Sequence, residues 1–183
     1  PERYLVYTGR HDARHDLATL LEALARLAAV GRPERLARAV PWPPRVVLVN
    51  TTPDDRAAVA VAAAGSGVGE LLHYTPALPA EQVARLVAGA RAAVHPVVSD
   101  AAALPVLDAL AAGTPVVASA TGALPEVAGP AGLLVEPQDP DRLAHARRAA
   151  WADDGVHRGI ARAAAARGSG NRRTWTDVAR ETR

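Results

Sequence analysis

Short apolar runs alternate along the chain with longer stretches whose apolar residues recur at helical spacing. Residues 3–9 (RYLVYTG) read as a buried strand, and residues 16–29 set leucines along one helical face with Asp16 as N-cap. The Pro-rich stretch PERLARAVPWPP reads as irregular. Further strands are expected at 45–50, 70–75, 92–98, 115–119 and 132–137. Further helices are expected from Thr52, at 79–91, at 102–113 with Gly113 just past its end, at 124–129, and as one long element over 139–154. A Gly-Ser-Gly break at 168–170 precedes a closing helix at about 173–183.

The strands are brief and rich in Val and Leu, as in a parallel sheet buried on both faces. Strict β-α alternation predicts an α/β, doubly wound, Rossmann-like sheet of six parallel strands in 3-2-1-4-5-6 order, in one domain spanning 1–183. Such sheets bind ligands beyond the carboxyl ends of their strands. That rule selects the loops at 9–15, 50–54, 75–79, 98–104, 119–125 and 136–141.

Composition narrows the function. The 183 residues are 49% hydrophobic but only 3% aromatic, so Ala, Val and Leu build the core. The absence of Cys excludes disulfides and thiolate-bound zinc. A formal charge of +2, with no basic stripe interleaved with aromatics, gives no nucleic-acid signal. No apolar run is long enough to span a membrane, the opening PERYLVYTGR is expected to be a strand and not a signal peptide, and a cytoplasmic or membrane-peripheral setting is expected. Every basic residue apart from His is Arg.

The most informative stretch is SDAAALPVLDALAAGTPVVAS, residues 99–119. It reads as a strand end, an acid (Asp100), a loop of small residues, and a helix whose opening amides at Ala101, Ala102, Ala103 and Leu104 suit a diphosphate. Asp108 follows about two turns on and can accept hydrogen bonds from hydroxyls, as acids do with ribose.

This segment resembles the signature of the group 1 glycosyltransferases, in which two Glu are separated by seven residues. Leu104, Pro105, Ala109, Gly113, Pro115, Val116, Val117 and Ala118 match it in order. Thr121 to Val127, the strand ending in Gly9-Arg10, Gly132 to Val135 with Pro137, Asp139-Pro140, and the closing TWTDVARETR resemble further family elements. The resemblance implies the C-terminal, nucleotide-sugar-binding half of a retaining GT-B enzyme that transfers a hexosyl group without a metal or other cofactor. It also implies an N-terminal acceptor domain, absent from this chain, without which the chain is inactive. Arg10 and Asp100 would be catalytic, Arg10 stabilising the leaving diphosphate and Asp100 holding the donor sugar. Arg14, His15, Ala102, Ala103, Leu104 and Asp108 would bind the donor, Asp108 at its ribose.

Several positions depart from the family pattern. Both signature Glu are Asp, the Gly-Phe-Gly between them is Ala101-Ala102-Ala103, and a Lys is replaced by His15. Alanine gives up glycine's freedom at positive φ, and histidine carries charge only when protonated. Each residue also has a bland reading: Asp100 as a helix cap, Asp108 as a solvated face, Arg10 as a surface ion-pair residue. His11, Asp12, His15 and Asp16 form an H-D-x-x-H-D run, but spacing alone does not make ligands converge, and no metal is expected. His73 and His95 read as packed or loop-edge residues. The altered positions leave open a rival function, a scaffold whose donor site has decayed and which binds a partner subunit. Another GT-B activity, such as sugar-nucleotide epimerisation, would carry a different acid pattern.

Overall fold

In the computed structural model, which describes residues 3–12, 14–99, 103–169 and 175–181, six strands form one parallel sheet. They are β1 (Leu5–Tyr7), β2 (Val46–Leu48), β3 (Leu72–Tyr74), β4 (Ala92–His95), β5 (Val116–Ser119) and β6 (Gly132–Val135), in the order β3-β2-β1-β4-β5-β6. The expected strand order is the observed one. β1 is central: Leu5 pairs with Val46 on one side and Ala92 on the other.

Alternation along β1 divides the core. Leu5 and Tyr7 face one cluster, built with Leu20 and Leu24 of α1 (Leu17–Val30), Val59 of α2 (Pro53–Ser66), and Leu143 and Trp151 of α6 (Pro140–Ala152). Val6 faces the other, built with Val87 of α3 (Ala80–Gly89), Val106 and Leu110 of α4 (Leu104–Ala111), and Leu124 of α5 (Leu124–Ala128). Side chains of successive strand residues point to opposite faces, so a strand covered by helices on both sides must be apolar throughout.

The helices begin as local chemistry dictates. Asp16 accepts the Thr19 amide and caps α1, as expected. Thr52 and Asp55 form a reciprocal capping box that opens α2. Gly113, at φ 74°, follows α4 as its left-handed stop.

Two expected elements differ. Residues 70–75 do not form a strand from their start, because a 3₁₀ turn at Gly69–Leu71 precedes β3. The long helix expected over 139–154 ends at Ala152, and α7 (Asp154–Ser169) follows. The break is made by a capping residue and not by Pro: extended Asp153 accepts the amides of Gly155 and Val156 through one carboxylate oxygen, at 2.8 and 3.0 Å. Arg91 fixes this junction to β4, donating to the Ala150 carbonyl at 3.1 Å and to Asp154 at 2.6 Å. The closing helix, α8, spans Trp175–Glu181, and the remainder of its expected range lies outside the described residues.

Among the described residues, one arginine is buried in this frame. Arg147 of α6 is fully buried and donates to the Leu20 carbonyl at 3.1 Å, while its Nε and second terminal nitrogen have no hydrogen-bond partner among the described residues. Burial lowers its proton affinity. Desolvating a guanidinium costs more than one neutral acceptor returns. Arg147→Met, which keeps the apolar stem, should therefore leave stability unchanged or raise it by about 1–4 kcal/mol. Urea denaturation of both proteins measures this, and a clear loss would mean that Arg147 is held by more than packing and one hydrogen bond.

Candidate donor-binding cleft

A cleft of about 620 Å³ opens beyond the carboxyl ends of β1, β4 and β5. Its walls are Thr8, Gly9, Arg10, Arg14 and His15 after β1, Ser99 after β4, Leu104 and Pro105 of α4, and Thr121 and Gly122 after β5. Apart from Thr8 and Pro105, which adjoin them, these come from three of the loops selected in the sequence, at the place where strand order reverses between β1 and β4.

The loop after β1 is fixed by both neighbours. The Tyr7 hydroxyl donates to the Arg10 carbonyl, and burial pushes that phenol's pKa up and keeps it a donor. His15 makes an antiparallel bridge to Val97, supported by Asp16 N–H to the Pro96 carbonyl at 3.1 Å and Val98 N–H to the Arg14 carbonyl at 2.8 Å. The loop thus lies along the end of β4.

Cations and acids are arranged unevenly. The exposed Arg10 has no acid partner among the described residues. Arg14 pairs with Asp12 at 3.0 Å, and His15 Nδ1 lies 2.8 Å from the other Asp12 oxygen. Hydrogen bonds from Arg14 and then His15 hold the Asp12 carboxyl well below the usual carboxylate range. His11 turns instead to Asp55, 3.7 Å away, and burial lowers its proton affinity. The H-D-x-x-H-D run therefore splits into two His–Asp pairs and a helix cap.

The start of α4 modifies the expectation drawn from its alanines. Ala103 is fully buried at φ 51° and ψ 24°, the left-handed conformation that glycine adopts freely. Alanine adopts it here at a cost of roughly 1–2 kcal/mol. Its carbonyl accepts the amides of Val106 and Leu107, and Pro105 has no N–H, so Leu104 is the described helical residue whose amide remains for a ligand. Asp100 and Ala102 lie outside the described residues. Asp108 is exposed, one turn beyond Leu104 on the same side of α4, and lines a neighbouring hollow of about 550 Å³ with Glu126 and Arg167.

The comparisons with known proteins agree with this geometry. A sequence model of the family "Glycosyl transferases group 1" matches residues 2–153. The chain belongs to the group 1 glycosyltransferases. Among solved structures, it is similar to sucrose-phosphate synthase from Thermosynechococcus elongatus, at 26% identity and a TM-score of 0.77 over 99% of this chain and 44% of that one. It is also similar to WaaG, a glycosyltransferase of lipopolysaccharide biosynthesis, at 21% identity and a TM-score of 0.74 over 93% of this chain and 43% of that one. Anabaena HepE, solved with UDP and glucose, matches at 19% identity and a TM-score of 0.74 over 92% of this chain and 44% of its own. No curated protein matches in sequence. The chain therefore spans less than half the length of these structures, and its fold is that of a C-terminal-like half of a GT-B glycosyltransferase. No helix of the described residues is long and apolar enough to cross a membrane.

Of the residues singled out in the sequence, the cleft brings together Arg10, Arg14, His15 and Leu104. It adds the hydroxyls of Thr8, Ser99 and Thr121, which sequence reasoning passed over individually, although Ser99 and Thr121 lie in selected loops. It also gives Asp12 a role as partner of both Arg14 and His15.

Gly9 is required here by space. A Cβ there would lie 2.5 Å from the Tyr7 hydroxyl oxygen and 2.9 Å from His15 Cδ2. Gly9→Ala should destabilise the fold by about 1–3 kcal/mol, the range for overpacking. Gly65→Ala on α2 is the control: its Cβ meets nothing within 4 Å, and it should stabilise by roughly 0.5–1 kcal/mol. Chemical denaturation of the two variants checks both signs.

Proposed function

We propose that this cleft binds the diphosphate and sugar of a nucleoside diphosphate sugar, and that the protein containing this chain is a retaining hexosyltransferase. The observation that carries the reading is the meeting, over the β1–β4 switch point, of the exposed Arg10 with the opening turn of α4. A guanidinium and a helix N-terminus both favour the charge that gathers on a departing diphosphate. Arg10 serves the leaving group, with Arg14 and His15 beside it. Asp100 and the amides of 102–104 serve the sugar, and Asp108 takes the ribose hydroxyls over the outer face of α4. The β-phosphate helps to deprotonate the acceptor, and these side chains carry the charge without a metal.

A second domain would close the cleft and bring the acceptor. The length shared with the solved glycosyltransferases supports this division, in which the chain alone binds donor but transfers little. The expected setting is cytoplasmic.

Titration with UDP, GDP and ADP tests the reading directly. One of them should bind, and Asp108→Ala should weaken that binding by about 1.5–3 kcal/mol, the value of a charged hydrogen bond. Arg10→Ala should cost more affinity for the diphosphate than for the bare nucleoside. If no nucleotide binds, the reading fails and the scaffold alternative stands. An equal loss for nucleoside and diphosphate would remove Arg10 from the phosphate site.

A further inference from the structure

We propose that Asp12 is a positioning residue that holds the Nδ1 face of His15, so that Nε2 is presented to the cleft as a proton-dependent donor to a diphosphate. The inference rests on the donor-site reading and assigns part of that site to an acid–imidazole pair.

The geometry has three parts. His15 Nδ1 lies 2.8 Å from Asp12 Oδ1, and the Asp12 carbonyl accepts the His15 amide at 3.0 Å, so ring and backbone are both tied to one residue. The second Asp12 oxygen accepts from Arg14 at 3.0 Å, and the Arg14 amide donates back to Oδ1 at 3.0 Å. His15 lines the cleft, and its Nε2 has no hydrogen-bond partner among the described residues. The bridge to Val97 prevents the ring from leaving with its loop.

The chemistry follows from the carboxylate. Asp12 stays ionised at any ordinary pH, because the hydrogen bonds from Arg14 and His15 hold its carboxyl low. An ionised acceptor at Nδ1 requires the proton there in neutral His15, which leaves Nε2 as an acceptor that repels phosphate oxygen. Adding a proton turns Nε2 into a charged donor. The other groups facing the ring are the Arg14 guanidinium through Asp12, the Arg10 guanidinium on the cleft wall, His11, and His95 of β4, whose ring centroid lies 5.7 Å away. A bound diphosphate favours the charged ring over the neutral one. Affinity for diphosphate should therefore rise as pH falls from about 8 to about 6.

Two measurements on the whole chain test this. Calorimetric titration with UDP, GDP, ADP and pyrophosphate at both pH values compares the native protein with His15→Lys, and the ratio of the two affinities cancels the ligand's own protonation. At pH about 8 the Lys variant should bind about tenfold more tightly, and the two should converge near pH 6. Asp12→Asn keeps an acceptor for Nδ1 and should keep most of the gain on acidification, whereas Asp12→Ala removes the acceptor and should lose it. ¹⁵N NMR of the neutral imidazole should show the proton on Nδ1 in the native protein and in Asp12→Asn, and on Nε2 in Asp12→Ala. Native and Lys proteins with the same affinity at both pH values would overturn the proposal while leaving the donor-site reading intact. A native ring protonated on Nε2 would overturn it as well. Failure of all four ligands to bind either protein would overturn both.

Discussion

β1 sits between β2 and β4, and everything else about the molecule depends on that placement. Connections leaving a central strand toward opposite edges wind onto opposite faces of the sheet. The loops after β1 and β4 therefore part above the strand ends, and a cleft results whatever residues fill it. The double cover of helices makes β1 apolar on both faces, and it places Tyr7, a core residue, beneath the cleft. The Tyr7 hydroxyl then reaches the Arg10 carbonyl because Gly9 leaves it room. Packing and site are thus joined at one strand end.

The electrostatics of the cleft differ from a simple cluster of positive charge. Without lysine, positive charge comes from arginine and histidine. Arg14 and His15 are both engaged by Asp12, and Arg10 has no such acid among the described residues. One carboxylate thus offsets part of the positive charge in the cleft and orders two of its side chains. A flexible lysine would act as a point charge, whereas a tethered ring acts in one direction only. Ala103 is a second instance of order kept at a cost, since a buried alanine occupies a conformation suited to glycine.

Much of this architecture was legible in the sequence. The strand order, the two-sided core, the Asp16 cap and the Gly113 stop follow from apolar spacing and from residue types whose conformational preferences are local. The family followed from matched positions in order along the chain. The division of the helix at Asp153 was less legible, because a capping Asp looks like any exposed acid until its oxygen is seen to accept two amides.

The sequence by itself determined the fold class, the family and the loops that meet at the cleft, because periodicity and signature are properties of neighbours along the chain. Only tertiary structure decided the pairings. His11, Asp12, His15 and Asp16 are too close in sequence to reveal which of them face each other. Contacts with α2, β4 and the turn itself send His11 to Asp55, His15 to Asp12, and Asp16 to the amide of Thr19. Whether Ala103 could take a left-handed backbone, and which hollow Asp108 would line, likewise depended on how α4 is held against the sheet. Side-chain direction on a loop is set by what packs against it, and that is not written in the spacing of its residues.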